Sequence, residues 1–172
     1  ADGIVVVTPY YNKPPQRGLV AHFEHIADAT ELPIIVYNIP SRTGTRIEHE
    51  TMLRIAQRPN VVAVKDSTGD FKAISNLISE APEGFEIYSG DDWATFGYVC
   101  LGAVGVVSVA SHLVGPQIRQ MIDLIETGDV PAARGAPRLS ERRLDALGHE
   151  GEGGASLQLE RATRRYRVFS VE

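Results

Sequence analysis

Cysteine is nearly absent from these 172 residues. Cys100 stands alone in the apolar setting Val99-Cys100-Leu101, so no intrachain disulfide can form, and a reducing cytoplasmic compartment fits. It reads as a small buried hydrophobe. No apolar run approaches the ~20 residues of a membrane span, and the first residues have no basic-then-apolar signal pattern, which argues against a membrane partner. An initiator methionine is also missing, so it was removed before a small residue or the sequence starts inside a longer chain. Neither G-x-G-x-x-G nor G-x-x-x-x-G-K-[ST] follows any strand-like run, which removes support for a dinucleotide or P-loop site. The net charge of -5 speaks against nucleic acid as the main partner. Lysine is scarce as well: Lys13, Lys65 and Lys72 are the only ones.

What is present is a hydrophobic fraction of 43% against 23% charged, the balance of a globular domain with a sizeable core. At 172 residues the chain is nevertheless short for a closed eight-unit α/β barrel, which typically needs ~250. Apolar runs alternate with helical patterns along it. Ile4 to Thr8 is a central-type strand, and Leu19, Val20, Phe23, Ile26 and Ala27 then share one helical face. Pro33 breaks that helix before the strand Ile34 to Tyr37. Glu48 to Gln57 is the next helix, with Met52, Leu53 and Ala56 inward, and Val61 to Val64 the next strand. Asp70 is placed to cap a helix carrying Phe71, Ile74, Leu77 and Ile78, which Pro82-Glu83-Gly84 ends. A strand at Phe85 to Ser89, a short helix at Trp93 to Leu101, a strand at Val104 to Ser108 and a helix from about Gly115 to Thr127 complete five alternations. Such alternation predicts right-handed βαβ units around a parallel sheet, either an open doubly wound sheet or part of a barrel.

The strand at Val61 to Val64 is apolar at every position, as suits a strand covered on both faces, and it ends on Lys65. Burial disfavours an ammonium, so a lysine at the rim of an apolar layer frees a neutral amine to attack a carbonyl carbon. The plain alternative is a lysine that is solvated or paired with Asp66. Polar or aromatic residues sit at the other strand exits too: Tyr10 and Tyr11, Tyr37 and Arg42, Gly90 and Asp91, Ser108. Chemistry gathered at strand carboxyl ends is a barrel-mouth pattern. His22 and His25 lie three apart on a helix without a third ligand nearby, and Asp91-Asp92 lacks the rest of a calcium loop, so no catalytic metal is expected.

Thr8-Pro9-Tyr10-Tyr11-Asn12, Tyr37-Asn38-Ile39-Pro40-Ser41-Arg42-Thr43-Gly44, Val64-Lys65-Asp66-Ser67-Thr68-Gly69, Ser89-Gly90-Asp91-Asp92 and Gly105-Val106-Val107-Ser108, in this order, resemble the dihydrodipicolinate synthases. These are lysine-dependent, pyruvate-using aldolases of the superfamily that includes N-acetylneuraminate lyase. The resemblance covers residues 1 to 134 and implies a (β/α)8 TIM barrel truncated here to about five βα units.

It implies that Lys65 forms a Schiff base with pyruvate, that Tyr37 relays protons beside it, and that Tyr11 joins the relay by crossing a tight-dimer interface. Arg42 would hold the carboxylate of aspartate semialdehyde, since a guanidinium fork suits a carboxylate. Gly90 and Val107 would line the pyruvate pocket. Tyr10 resembles a residue near the lysine feedback site of some members. The reaction implied is a lyase-class condensation to 4-hydroxy-tetrahydrodipicolinate in lysine and diaminopimelate biosynthesis, without cofactor or metal, in a cytoplasmic homo-oligomer, a tight dimer or a tetramer. A sister aldolase taking a sugar-acid aldehyde is the alternative within enzymes, and a non-catalytic barrel fragment that needs a partner is the alternative outside them.

Two departures stand out. The family barrel starts three βα units earlier, with the threonine of the relay and the turn that receives the pyruvate carboxylate. From Gly135 the composition also changes. Residues 135 to 172 hold seven of fourteen arginines, no lysine and the patch Gly151-Glu152-Gly153-Gly154, and read as a poorly ordered or aberrant tail. Expected consequences are inactivity of the 172 residues alone as a synthase, and self-association through unpaired strand edges at Ile4 to Thr8 and Val104 to Ser108.

Overall fold

The computed structural model describes residues 1–135 and the backbone of residues 167–170. Six strands, β1 (Ile4–Val7), β2 (Ile34–Asn38), β3 (Val61–Asp66), β4 (Glu86–Ser89), β5 (Gly105–Ser108) and β6 (Arg167–Ser170), form one sheet. All pair in parallel, in the order of the sequence from β1 to β6. Helices α1 (Gln16–Ala29), α2 (Pro40–Thr43), α3 (His49–Ile55), α4 (Phe71–Glu80), α5 (Thr95–Leu101), α6 (Ser111–Glu126) and α7 (Val130–Gly135) fill the connections.

Two observations choose between the architectures left open by the alternation alone, and both bear out the truncated barrel that the strand exits and the resemblance imply. A doubly wound sheet reverses its strand order at a switch point and carries helices on both faces. Here the order never reverses, and the main core lies on one face, where Leu19 and Phe23 of α1, Ile55 of α3 and Ile74 and Leu77 of α4 pack on Ile34, Val36, Val64 and Ile87. The opposite face holds a smaller cluster of Ile35, Ala63, Tyr88 and Val107, with Val5, Val62 and Val104 half-buried around it. An uninterrupted parallel arc with helices on one side alone is part of a (β/α) barrel, and the smaller cluster belongs to its interior.

The local causes are those the pattern indicates, with four differences. Asp70 caps α4, its carboxylate accepting the Ala73 N–H at 3.0 Å. The loop after β2 contains the one-turn helix α2, which Gly44 ends in the left-handed conformation at φ 64°. Helix α6 begins at Ser111, earlier than expected, and breaks at Val114 (φ -133°, ψ 28°), because Pro116 lacks an N–H and crowds the preceding turn. Phe71, expected inward, is 39% exposed and meets Trp93 and Tyr98 edge-on. Cys100, expected buried, lies on the exposed side of α5.

Sheet edges differ from expectation at one end. β1 has no neighbour on its outer side among the described residues, whereas β5 pairs with β6 from Gly105↔Arg167 to Ser108↔Ser170. The expected open edge at Val104 to Ser108 is therefore covered by part of the segment read as a poorly ordered or aberrant tail. Val168 and Phe169, a β-branched and an aromatic residue side by side, favour extended backbone that can pair where an unsatisfied ladder is on offer. The rest of that reading concerns residues 136–166 and 171–172, outside the described residues.

Candidate active site

Lys65 occupies the fifth position of β3, in register with Tyr37 on β2 and Tyr88 on β4. Residues in register point to the same face, so all three side chains join the interior face above Ile35 and Ala63. The Lys65 amine lies 4.1 Å from the centroid of the Tyr37 ring, and only 9% of the residue is exposed. Burial holds its pKa below the ordinary lysine value, while the carboxylates of Asp91 and Asp92 pull it part of the way back. A neutral, nucleophilic amine is thus populated at lower pH than in free lysine.

Tyr37 moves the opposite way. Burial raises its phenol pKa, with Asp91 adding to the rise and Ser67 and Arg42 opposing it. A phenol that stays protonated can give a proton and take it back. Arg42, exposed on α2, therefore lies within electrostatic reach of the Lys65–Tyr37 pair.

Gly90 is at the centre of the exit loops. A Cβ there would stand 2.0 Å from the Ser67 hydroxyl oxygen and 3.1 Å from the Asp66 carbonyl oxygen. Its N–H donates to that same carbonyl at 2.7 Å, extending the β3–β4 ladder past its last strand residue. Val107 is 2% exposed and forms part of the apolar floor with Tyr88, below the reactive amine. Tyr11 is not brought to this group: it is 94% exposed in the bend after β1, with Tyr10 69% exposed beside it.

Three features have no clear precursor in sequence pattern. First, the buried Asp66 carboxylate accepts from Asn38 Nδ2 (3.1 Å), the Thr68 N–H (3.0 Å), Thr68 Oγ1 (2.7 Å) and the Tyr98 hydroxyl (2.8 Å). Asn38 in turn accepts from the Ile47 N–H at 3.1 Å, so the ends of β2 and β3 are tied to α5 and to the start of α3. Second, Ser67 is buried, and its hydroxyl works to lower the pKa of both Tyr37 and Asp91. Third, burial raises the Asp91 carboxyl pKa; Asp66 and Asp92 add to the rise, and Ser67 and Lys65 oppose it. The only signal for these groups was the polar run behind each strand, which does not say which members turn inward.

Asp92 is committed elsewhere, accepting from the Ser108 hydroxyl and, at 3.3 Å, from the Ala110 N–H. Among the described residues no group of three or more His, Cys, Asp or Glu side chains converges, and no helix is long and apolar enough to cross a membrane.

Comparison with known proteins agrees with this layout. The 4-hydroxy-tetrahydrodipicolinate synthase of Synechococcus elongatus is 52% identical over 134 residues, and that of Listeria welshimeri 49% over 132; each match covers 77% of this chain and 45% of the relative. The crystal structure of dihydrodipicolinate synthase from Aquifex aeolicus superposes with a TM-score of 0.77 at 42% identity, covering 86% of this chain and 49% of that one. The lysine-bound enzyme from Cyanidioschyzon merolae gives 0.75 at 44% identity, covering 77% and 45%. This chain spans about half the length of the curated relatives it matches. Residues 1–144 match the Dihydrodipicolinate synthetase family, and with the helix-lined parallel arc and the Lys65–Tyr37 pair at its mouth, the chain belongs to that family.

Proposed function

We propose that this chain carries the imine-forming part of a lyase that condenses pyruvate with aspartate semialdehyde to 4-hydroxy-tetrahydrodipicolinate, in lysine and diaminopimelate biosynthesis. The observation that carries the reading is a buried amine of lowered pKa, 4.1 Å from the centre of the Tyr37 ring, at the exit of a barrel strand. Lys65 attacks the keto carbon of pyruvate, and the carbinolamine loses water to an imine, whose protonated nitrogen accepts electrons while the methyl carbon becomes the nucleophile. Tyr37 moves the protons. Arg42 receives the aldehyde's carboxylate, which favours a short carboxylated aldehyde over a sugar chain that would ask for hydroxyl-binding groups. Gly90 and Val107 shape the pyruvate pocket.

The covalent lysine does the work of a cofactor, so none is required, and no metal either. Tyr11 is exposed because its place is in a second subunit, which makes a cytoplasmic homo-oligomer, a tight dimer or a tetramer, the working assembly. A related structure is described as the first monomeric dihydrodipicolinate synthase variant, so assembly varies within the family. The 172 residues alone are expected to form the imine slowly and not to turn over as a synthase.

Borohydride reduction with pyruvate tests this. A three-carbon adduct should map to the peptide containing Lys65 and be missing in Lys65→Ala. An adduct on Lys13 or Lys72 instead would refute the assignment.

A further inference from the structure

Residues 46–48 lie between α2 and α3, in neither helix nor sheet, yet four successive backbone groups there are hydrogen-bonded by two side-chain amides. From one side comes Asn38, at the end of β2: its Oδ1 accepts the Ile47 N–H at 3.1 Å, and its Nδ2 donates to the Ile47 carbonyl at 3.3 Å. From the other comes Gln16, the first residue of α1: its Nε2 donates to the Arg46 carbonyl at 2.8 Å, and its Oε1 accepts the Glu48 N–H at 3.1 Å. A primary amide carries the same donor and acceptor as a peptide unit, so each side chain pairs with the segment as a neighbouring strand would. Neither amide can be reversed without loss. Asp66, the register partner of Asn38, is 4% exposed, and its Oδ2 accepts from the same Nδ2 at 3.1 Å. A carboxylate only accepts, so the Nδ2 end of Asn38 must face it and the Oδ1 end is left for Ile47. A reversed Gln16 would set its oxygen against the Arg46 carbonyl.

The two amides close the neck of the loop that carries Arg42. That loop leaves β2 at Asn38 and returns at Ile47, nine positions later. Within it α2 is rooted on Ile39, whose carbonyl accepts from the Arg42 N–H (3.1 Å) and the Thr43 N–H (3.0 Å). Gly44 turns the chain at φ 64°, and a Cβ there would stand 2.9 Å from Lys13 Cε and Nζ, so the connection after β1 lies against the loop's crown. We propose that Gln16 and Asn38 are positioning residues for substrate recognition: together they latch the 39–46 loop, so that the Arg42 guanidinium is held at the mouth, where the carboxylate of the aldehyde would bind. The inference rests on the reading of Arg42 as that carboxylate's partner. Two-bond recognition of a carboxylate by a guanidinium tolerates little displacement, and a misplacement of about 1 Å can cost a reaction roughly 10²-fold. A loop left to move would also have to be ordered each time substrate bound. A latched neck avoids both losses, and neither amide has to touch the substrate.

The test compares the 172-residue chain as wild type, Gln16→Met, Asn38→Ala, Arg42→Ala and the double variant of Gln16→Met with Arg42→Ala. Gln16→Met keeps the length of the side chain and removes both of its bonds. Amide hydrogen exchange reads the latch. The Glu48 amide should exchange roughly tenfold faster in Gln16→Met, with the Ile47 amide less affected, and Asn38→Ala should reverse that order. Titration of the Tyr37 phenol, followed by NMR of ring-labelled tyrosine and assigned with Tyr37→Phe, reads the guanidinium. Arg42 opposes the rise of the Tyr37 pKa, so Arg42→Ala should move the midpoint up. Gln16→Met should move it up as well, and the double variant should titrate as Arg42→Ala alone, because a loosened loop then has no charge left to withdraw. A latch that served stability only would shift unfolding and leave this titration in place. Should Asn38→Ala fail to fold, Gln16→Met, whose bonds lie at the exposed rim, carries the measurement. A faster Glu48 amide with an unmoved Tyr37 midpoint would overturn the positioning role, as would shifts that add in the double variant. An unmoved midpoint in Arg42→Ala would overturn the placement of Arg42 at the mouth and the latch's role with it, while the borohydride-trapped Lys65 adduct reports separately on imine formation.

Discussion

Gly90→Ala asks how tightly the mouth of the half-barrel is packed. The new Cβ would lie 2.0 Å from Ser67 Oγ, 3.1 Å from the Asp66 carbonyl oxygen and 3.2 Å from its carbon. The first contact can be relieved only by turning a buried hydroxyl away from its position; the other two cannot be relieved by side-chain rotation at all. The Asp66 carbonyl is also the acceptor of Gly90's own N–H at 2.7 Å, so moving one residue away from the other lengthens that bond. Overpacking of this kind costs about 1–3 kcal/mol. Removing a glycine restricts the unfolded chain and returns about 0.4–1 kcal/mol. A net loss of about 1–2 kcal/mol follows, readable as a fall in the urea midpoint with an unchanged slope. Ser67→Ala in the same chain removes the 2.0 Å contact and should recover at least half of that loss. A change within about 0.5 kcal/mol, the range of an ordinary surface substitution, would show that the loop yields freely and refute the reasoning. No recovery in the double variant would place the conflict at the Asp66 backbone instead.

Further outcomes follow from the same site. In a full-length barrel built around this half, Arg42→Ala should weaken use of the aldehyde by about 1.5–3 kcal/mol, the value of a charge-assisted pair, and leave the Lys65 adduct intact; equal loss of both would make Arg42 structural. Asp70→Ala should cost about 1 kcal/mol through loss of the α4 cap, measured by urea unfolding. The Ala73 N–H and Arg46 hold the Asp70 carboxyl below its ordinary value, so its contribution is complete above the unfolded-state pKa and fades as pH falls through the folded one. Lys65→Met should stabilise the chain at neutral pH, because burial disfavours the ammonium. A folded pKa below the unfolded 10.5 means that the unfolded chain binds the extra proton, so wild-type stability rises with pH between the two values and the advantage of Met shrinks there; a constant advantage would argue against a buried amine.

The alternation of strands and helices was legible because it rests on local physics: apolar periodicity, proline breaks, and a cap such as Asp70 whose partner is three residues away. The candidate nucleophile was legible for a related reason. Among three lysines only Lys65 ends an apolar strand, and the strand carries its own amine to the carboxyl-end rim of the sheet wherever the sheet lies. The alternation alone left a doubly wound sheet and a barrel open, since both use the same βαβ unit and differ in which faces the helices cover; the polar strand exits and the resemblance pointed to the barrel, and the uninterrupted strand order with helices on one face bears it out. The side on which Cys100 falls, the pairing of Arg167–Ser170 with β5, and the ties of Asp66 to Asn38 and Tyr98 all depend on partners distant in sequence. The same holds at the site. Ser67 and Asp91 are ordinary loop residues in the linear chain, and only the parallel register of β3 and β4, with a glycine at position 90 where a Cβ would meet the Ser67 hydroxyl, sets that hydroxyl beside the β4 exit loop. Local propensity determined what each segment becomes, and burial together with strand register decided which polar groups meet.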